Sequence, residues 1–227
     1  TRQDIEHTYN IPSNQIRTIY QSCDPRFYLP DRMDLRDLVR RKYGLHQPYF
    51  LTVGSLIARK NIGTVLEALL RIPQQDIRLV IIGKGKNSYA EKLKQFIKIH
   101  QLENRVLFLE EHYPSSEILA DLPALYQAAV GLIYPSIKEG YGIPVLEAMA
   151  AGTAVITTAH SSMAEISGEA ALLSDPFDAD QIALFMSLLY EQPDERIRRI
   201  TEGKTRAQQL DITHSSAQLM QHYLSLF

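Results

Sequence analysis

A chain of 227 residues, 45% of them hydrophobic, is long enough to bury a substantial core without covalent staples. Its formal charge of −2, from 24 basic and 26 acidic residues, excludes the basic field that nucleic-acid binding needs, so nucleic acid is not an expected partner. The single cysteine, Cys23, can build neither an internal disulfide nor a thiolate metal cluster, and no apolar run approaches the roughly 18–20 residues of a membrane span, which describes a cytoplasmic protein without a transmembrane segment.

The chain starts on Thr1 rather than methionine. Its first ~25 residues combine a helical stretch at Asp4–Tyr9 with a strand-like one at Gln15–Tyr20, both resembling the closing elements of an upstream domain. Residues 1–28 are therefore assigned to a lead-in segment and linker from an absent N-terminal domain, with Pro25 and Pro30 near the boundary. From Tyr49 onward, short β-rich runs alternate with helical patterns. Strands are predicted at Tyr49–Val53, Arg78–Ile82, Arg105–Leu109, Val130–Tyr134, Ala154–Thr157 and Ala171–Leu173. Helices are predicted at Ile62–Arg71, Tyr89–His100, Leu122–Ala129, Pro144–Ala151 and Ala179–Leu189.

Such alternation points to an α/β fold over residues 29–211, a doubly wound, Rossmann-like parallel sheet covered on both faces. The run Leu79-Val80-Ile81-Ile82, apolar at every position, reads as a strand buried on both sides. Residues 212–227 form a C-terminal helix. Its Leu219, Met220, Tyr223, Leu224 and Phe227 recur at helical spacing and need an apolar surface, on this domain or the absent one.

Open parallel sheets bind ligands at the carboxyl ends of their strands. After the first strand, Gly54-Ser55-Leu56-Ile57-Ala58-Arg59-Lys60-Asn61 places a guanidinium fork and an ammonium at the sheet's mouth, a pairing suited to a diphosphate. After the second, Gly83-Lys84-Gly85 is a Gly-x-Gly turn without the third glycine of a dinucleotide fingerprint, so tight packing and ligand contact are equally open for Gly83.

The most specific stretch is Glu139-Gly140-Tyr141-Gly142-Ile143-Pro144-Val145-Leu146-Glu147. Its glycines permit close backbone approach, Pro144 suits the first turn of a helix, and amides there point into the binding crevice. Glu139 in the loop and Glu147 in the helix can each accept two hydroxyl hydrogen bonds.

Two glutamates separated by seven residues resemble the signature of the group-one, retaining glycosyltransferases of the GT-B fold. The likeness continues through 50–61, 78–85 and 159–173. It implies that this chain is the donor-binding half of a two-domain GT-B enzyme. Such an enzyme transfers a hexose from a nucleotide diphosphate sugar, GDP-mannose or a UDP-sugar, to a glycan or lipid-linked acceptor held by the absent domain. A lipid-linked acceptor would place the protein peripherally at the inner face of the membrane.

By the same resemblance, Glu139 lies against the donor sugar and Glu147 hydrogen-bonds the ribose. Loop amides at Gly140, Tyr141, Gly142 and Ile143 hold sugar hydroxyls or the distal phosphate. Arg59 and Lys60 neutralise the leaving diphosphate and join Glu139 as catalytic residues. Gly54, Ser55 and Gly83 line the donor site, and Leu109, within Val106–Glu110, lies beside the nucleobase. Many relatives carry arginine where this chain has Ser55, so Arg59 and Lys60 are expected to rebuild the cationic clamp. Relatives carry proline where Ala164 stands, and Ser161 and Ser162 either contact substrate or cap a helix.

Asp178-Ala179-Asp180 spells a metal-binding pattern but opens a helix, where Asp178 suits the N-cap and Asp180 the dipole; neither metal nor cofactor is expected. Gly203-Lys204-Thr205 matches only the end of a phosphate-binding loop and reads as surface helix. Three alternatives stay open: a sugar-nucleotide epimerase, a phosphorylase of related fold, or a non-catalytic nucleotide-binding module.

Overall fold

Short runs of aliphatic and β-branched residues pair into one parallel sheet in a computed structural model that describes Arg2–Ser225. Thr1, and the Phe227 read as part of the last helix's apolar stripe, lie outside the described residues. The chain begins with helices α1 (Arg2–Tyr9) and α2 (Met33–Lys42), then alternates β1 (Tyr49–Val53), α3 (Ile62–Arg71), β2 (Arg78–Ile82), α4 (Ser88–Ile99) and β3 (Val106–Phe108). The second half runs α5 (Ser115–Ala128), β4 (Gly131–Tyr134), α6 (Ile143–Ala151), β5 (Val155–Thr158), α7 (Ser162–Ser167) and β6 (Leu172–Ser174). Helices α8 (Ala179–Glu191), α9 (Pro193–Gln209) and α10 (Ile212–Leu224) close it.

The strand order is β3-β2-β1-β4-β5-β6, every neighbour parallel, with Tyr49 opposite Arg78 and Val53 opposite Ile82. From β1 the chain builds outward through β2 and β3, then returns to place β4 on β1's other side. The switch point of the sheet therefore lies between β1 and β4, where such folds open a crevice at their carboxyl edge.

Alternate side chains along each strand enter opposite layers. Leu51, Val80 and Leu132 join the layer under α2, α5 and α6, while Phe50, Leu79, Ile81 and Ile133 join the one under α3, α4 and α8. These strand residues are fully buried, each burial contributing about 1.5–3 kcal/mol.

Some elements differ from expectation for identifiable reasons. Helix α5 starts at Ser115 rather than Leu122 and runs through Pro123. The carbonyl that loses its donor there belongs to Leu119, half exposed on the helix's solvent side. Strand β3 is shorter than predicted because the chain turns into a 3₁₀ helix at Leu109–Glu111. Gln15–Tyr20 is not a strand. After a 3₁₀ turn at Ser13–Gln15 it runs unpaired, and Tyr20 packs against the sheet's core.

The proline-flanked stretch expected to link domains contributes Cys23 and Phe27 to the core, with Phe27 edge-on to Tyr126 at 5.9 Å between ring centroids. Within α9, Gly203 sits against α6, where an added Cβ would come to 3.3 Å from Met149. Among the described residues, no helix is long and apolar enough to cross a membrane.

Candidate functional site at the switch point

The loops after β1 and β4 flank the switch point and are tied together. Ile137 donates its amide to the Arg59 carbonyl at 2.9 Å, and the Arg59 guanidinium donates to the Lys138 carbonyl at 2.7 Å. Gly54, at φ +138°, adopts a conformation that L side chains rarely take, and a Cβ there would meet the Lys60 side chain at 3.0 Å. A 3₁₀ turn at Ala58–Lys60 then aims both cations at the β4 loop.

Four donors converge on one oxygen. Glu139 Oε1 accepts from Arg59 Nη1 at 2.5 Å, Lys60 Nζ at 2.7 Å, Ser136 Oγ at 2.7 Å and Tyr134 OH at 3.0 Å. The Lys60 ammonium also donates to the Tyr134 hydroxyl and lies 4.6 Å from that ring's centroid. Burial pushes the Glu139 carboxyl upward, but hydrogen bonds from Arg59, Lys60 and Ser136 outweigh it and hold the group at about 2. Two cations against one carboxylate leave this cluster with a net charge of +1. Arg59 is the more accessible cation, its side chain 43% exposed against 13% for Lys60.

A depressed carboxyl contributes stability that is present above its unfolded value of 4.5 and lost as pH falls toward 2. Glu139→Gln should therefore cost about 3 kcal/mol at pH 7, and the gap to wild type should shrink steadily below pH 4.5. Urea denaturation at pH 7 and pH 3 checks this; a gap that does not narrow contradicts the pairing.

Strand β5 and the segment after it brace the same loop. Ser161 Oγ accepts the Glu139 amide at 3.2 Å, and Ser162 Oγ donates to the Glu139 carbonyl at 3.1 Å. Ser161 holds a left-handed φ of 58° to do so. Thr157 and Thr158 hydroxyls bond the carbonyls of Tyr134 and Ser136 at 2.8 and 3.2 Å.

The other expected site residues divide into several environments. Gly140 is exposed, and an added Cβ there would meet nothing within 4 Å. Gly142, at φ +114°, sits at the N-cap of α6, which starts at Ile143, and a Cβ would collide with Met163 at 2.3 Å. Ser55 is exposed on the loop that carries the cations. Tyr141 sends its hydroxyl to the Gln21 carbonyl and its ring toward Tyr20, 6.4 Å away, so its side chain faces the lead-in segment and leaves only its main chain for the loop. Leu109 is fully buried, so only its main chain is available at the edge. Gly83 is held by packing: a Cβ would lie 1.9 Å from the Gly54 carbonyl oxygen.

Glu147 occupies a neighbouring cluster on α6, where its carboxylate accepts from the Tyr126 hydroxyl at 3.1 Å. Burial raises its pKa, against the pull of that hydrogen bond and of Arg26. Tyr134 and Ser136, which complete the Glu139 cluster, carry one signal in the sequence: Tyr134 ends β4 and Ser136 lies between it and Glu139. Asp178 caps α8 by accepting the Gln181 amide at 2.9 Å. A separate cavity of about 400 Å³ lies where Arg17, Thr18 and Ile19 face α10 at Gln218, Gln221 and His222.

A doubly wound parallel sheet with glycine-framed cations at its switch point defines a Rossmann-like domain with a basic cluster at its carboxyl edge. The family described as Glycosyl transferases group 1 matches residues 36–206, and the chain belongs to it. It is 33% identical to the O-antigen chain mannosyltransferase B of Escherichia coli over 92% of this chain and 53% of that protein. In fold it is similar to Anabaena HepE solved in complex with UDP-glucose, with a TM-score of 0.85 and 22% identity over 98% of this chain and 61% of that one. It also resembles the C-terminal domain of a glycosyl transferase group 1 family protein, LpcC, from Francisella tularensis. That match has a TM-score of 0.69 and 23% identity over 84% of this chain and all of the other. These neighbours place the sheet in the GT-B fold. The chain spans about half the length of the curated relatives it matches.

Proposed function

We propose that this chain is the donor-binding half of a retaining glycosyltransferase that moves a hexose from a nucleotide diphosphate sugar to a glycan or lipid-linked acceptor. The acceptor is held by an N-terminal domain, and a lipid-linked acceptor puts the enzyme at the cytoplasmic face of the membrane. The observation that carries this reading is the meeting of Glu139, Arg59 and Lys60 at one point between β1 and β4. Relatives named mannosyltransferases and a fold neighbour solved with UDP-glucose support the substrate class.

In this reading the diphosphate lies over Arg59 and Lys60, and the sugar lies over the Glu139–Gly142 loop. Negative charge grows on the diphosphate as its bond to the sugar breaks, so fixed cations there favour the transition state over the ground state. All four donors engage Glu139 Oε1, which leaves Oε2 to accept sugar hydroxyls. Glu147, half-buried on α6, accepts the ribose hydroxyls.

Calorimetry with nucleoside diphosphates tests the clamp. Lys60→Ala should weaken binding by about 1.5–3 kcal/mol, the range of a charge-assisted hydrogen bond. An unchanged dissociation constant refutes the assignment.

A further inference from the structure

We infer that the base subsite of this donor site is built for guanine and that Glu110, Lys84 and Ser115 read it; the inference rests on the donor-site reading above. As β3 ends, Leu109 anchors the 3₁₀ turn in the core and Glu110 follows with its side chain only 13% exposed. Glu110 Oε1 accepts from Ser115 Oγ at 2.6 Å, and that hydroxyl accepts from Lys84 Nζ at 2.7 Å. Lys84 Nζ stands 3.9 Å from the same carboxylate oxygen. Both partners therefore engage Oε1, and Oε2 keeps its acceptor capacity.

Lys84 belongs to the loop after β2, whose carbonyl accepts the Leu56 amide at 3.0 Å, joining it to the loop that carries Arg59 and Lys60. Strands β3 and β1 are separated by β2 alone. Two strand spacings, on the order of 10 Å, match the reach of a nucleoside diphosphate from base to distal phosphate.

A carboxylate beside an ammonium is selective among bases. Guanine presents two adjacent donors, its ring N–H and exocyclic amine, next to the O6 acceptor. A carboxylate takes both donors in parallel while an ammonium donates to O6. Uracil offers one N–H between two carbonyls, so the carboxylate would face an oxygen. Adenine sets a ring acceptor beside its single amine. Either mismatch sets a base acceptor against the Glu110 carboxylate, whose side chain is only 13% exposed, and an unpaired or repelled carboxylate there is costly.

The test is calorimetry on the full-length protein with GDP, inosine diphosphate, UDP and ADP. Wild type should bind GDP roughly ten-fold or more tightly than UDP, ADP or inosine diphosphate, which lacks only the exocyclic amine. Glu110→Gln should bring the ratio of GDP to inosine diphosphate close to one. UDP binding as tightly as GDP, or an undiminished ratio in Glu110→Gln, overturns the guanine assignment while the donor site stands. Should the variant fail to fold, the wild-type comparison of GDP with inosine diphosphate decides. Failure of wild type to bind any nucleoside diphosphate overturns the donor-site reading and this inference with it.

Discussion

Replacing Glu139 with glutamine is expected to lower turnover of the full-length transferase by roughly two to three orders of magnitude, the loss typical of a single preorganised polar group at a reacting centre. The neutral amide keeps the shape of the side chain but turns part of its tip into a donor facing Arg59 and Lys60, which sit at 2.5 and 2.7 Å from the carboxylate. The cations lose their common reference point, and the sugar loses a charged acceptor. Binding of a free nucleoside diphosphate should respond in the opposite sense, because the cluster's net charge rises from +1 to +2. Turnover therefore falls while diphosphate affinity holds or tightens. Steady-state kinetics beside calorimetry separate the two quantities. Turnover within threefold of wild type, or a matching collapse of diphosphate affinity, contradicts the role given to Glu139.

Gly83→Ala is expected to destabilise the fold by at least about 3 kcal/mol, the upper range of overpacking. The added methyl would sit 1.9 Å from the Gly54 carbonyl oxygen and 2.7 Å from its carbon, backbone atoms that cannot rotate away. Relief requires the loops after β1 and β2 to part. Their connecting bonds, Gly54 N to Ile82 O at 2.8 Å and Leu56 N to Lys84 O at 3.0 Å, would be strained or broken. Gly140→Ala is the contrast. With open space around it, that substitution should leave stability within about 0.5 kcal/mol of wild type, while obstructing any ligand that approaches the loop. Urea denaturation of both variants checks the pair; a Gly83→Ala protein as stable as wild type contradicts the close approach of the two loops.

The sheet was legible because its strands are apolar at consecutive positions. Tyr49–Val53 and Arg78–Ile82 fall where their β-rich runs predict. Helix α2 escaped notice because its sequence, MDLRDLVRRK, is mostly charged and buries only Val39. Gln15–Tyr20 has strand-like residues but no neighbouring strand to pair with, and pairing is a tertiary property.

At the site, the meeting of Lys60 with Glu139 could be anticipated because each follows a strand and those strands flank the switch point. The supporting hydroxyls of Tyr134 and Ser136 form no pattern in one dimension, and Ser161 and Ser162, read as substrate contacts or helix caps, are seen to brace the Glu139 backbone only once β4 and β5 lie side by side. Leu109 illustrates the limit of reasoning by position. Its place after β3 is right for the sheet's edge, but its side chain completes the core, and the polar group beside it is Glu110.

Diffraction from this chain crystallised with a nucleoside diphosphate tests most directly whether the cations at the switch point hold the diphosphate. The distal phosphate is expected within about 3 Å of the Lys60 ammonium and the Arg59 guanidinium, with the ribose hydroxyls on Glu147. A diphosphate seated elsewhere, making no contact with Arg59 or Lys60, would contradict that placement.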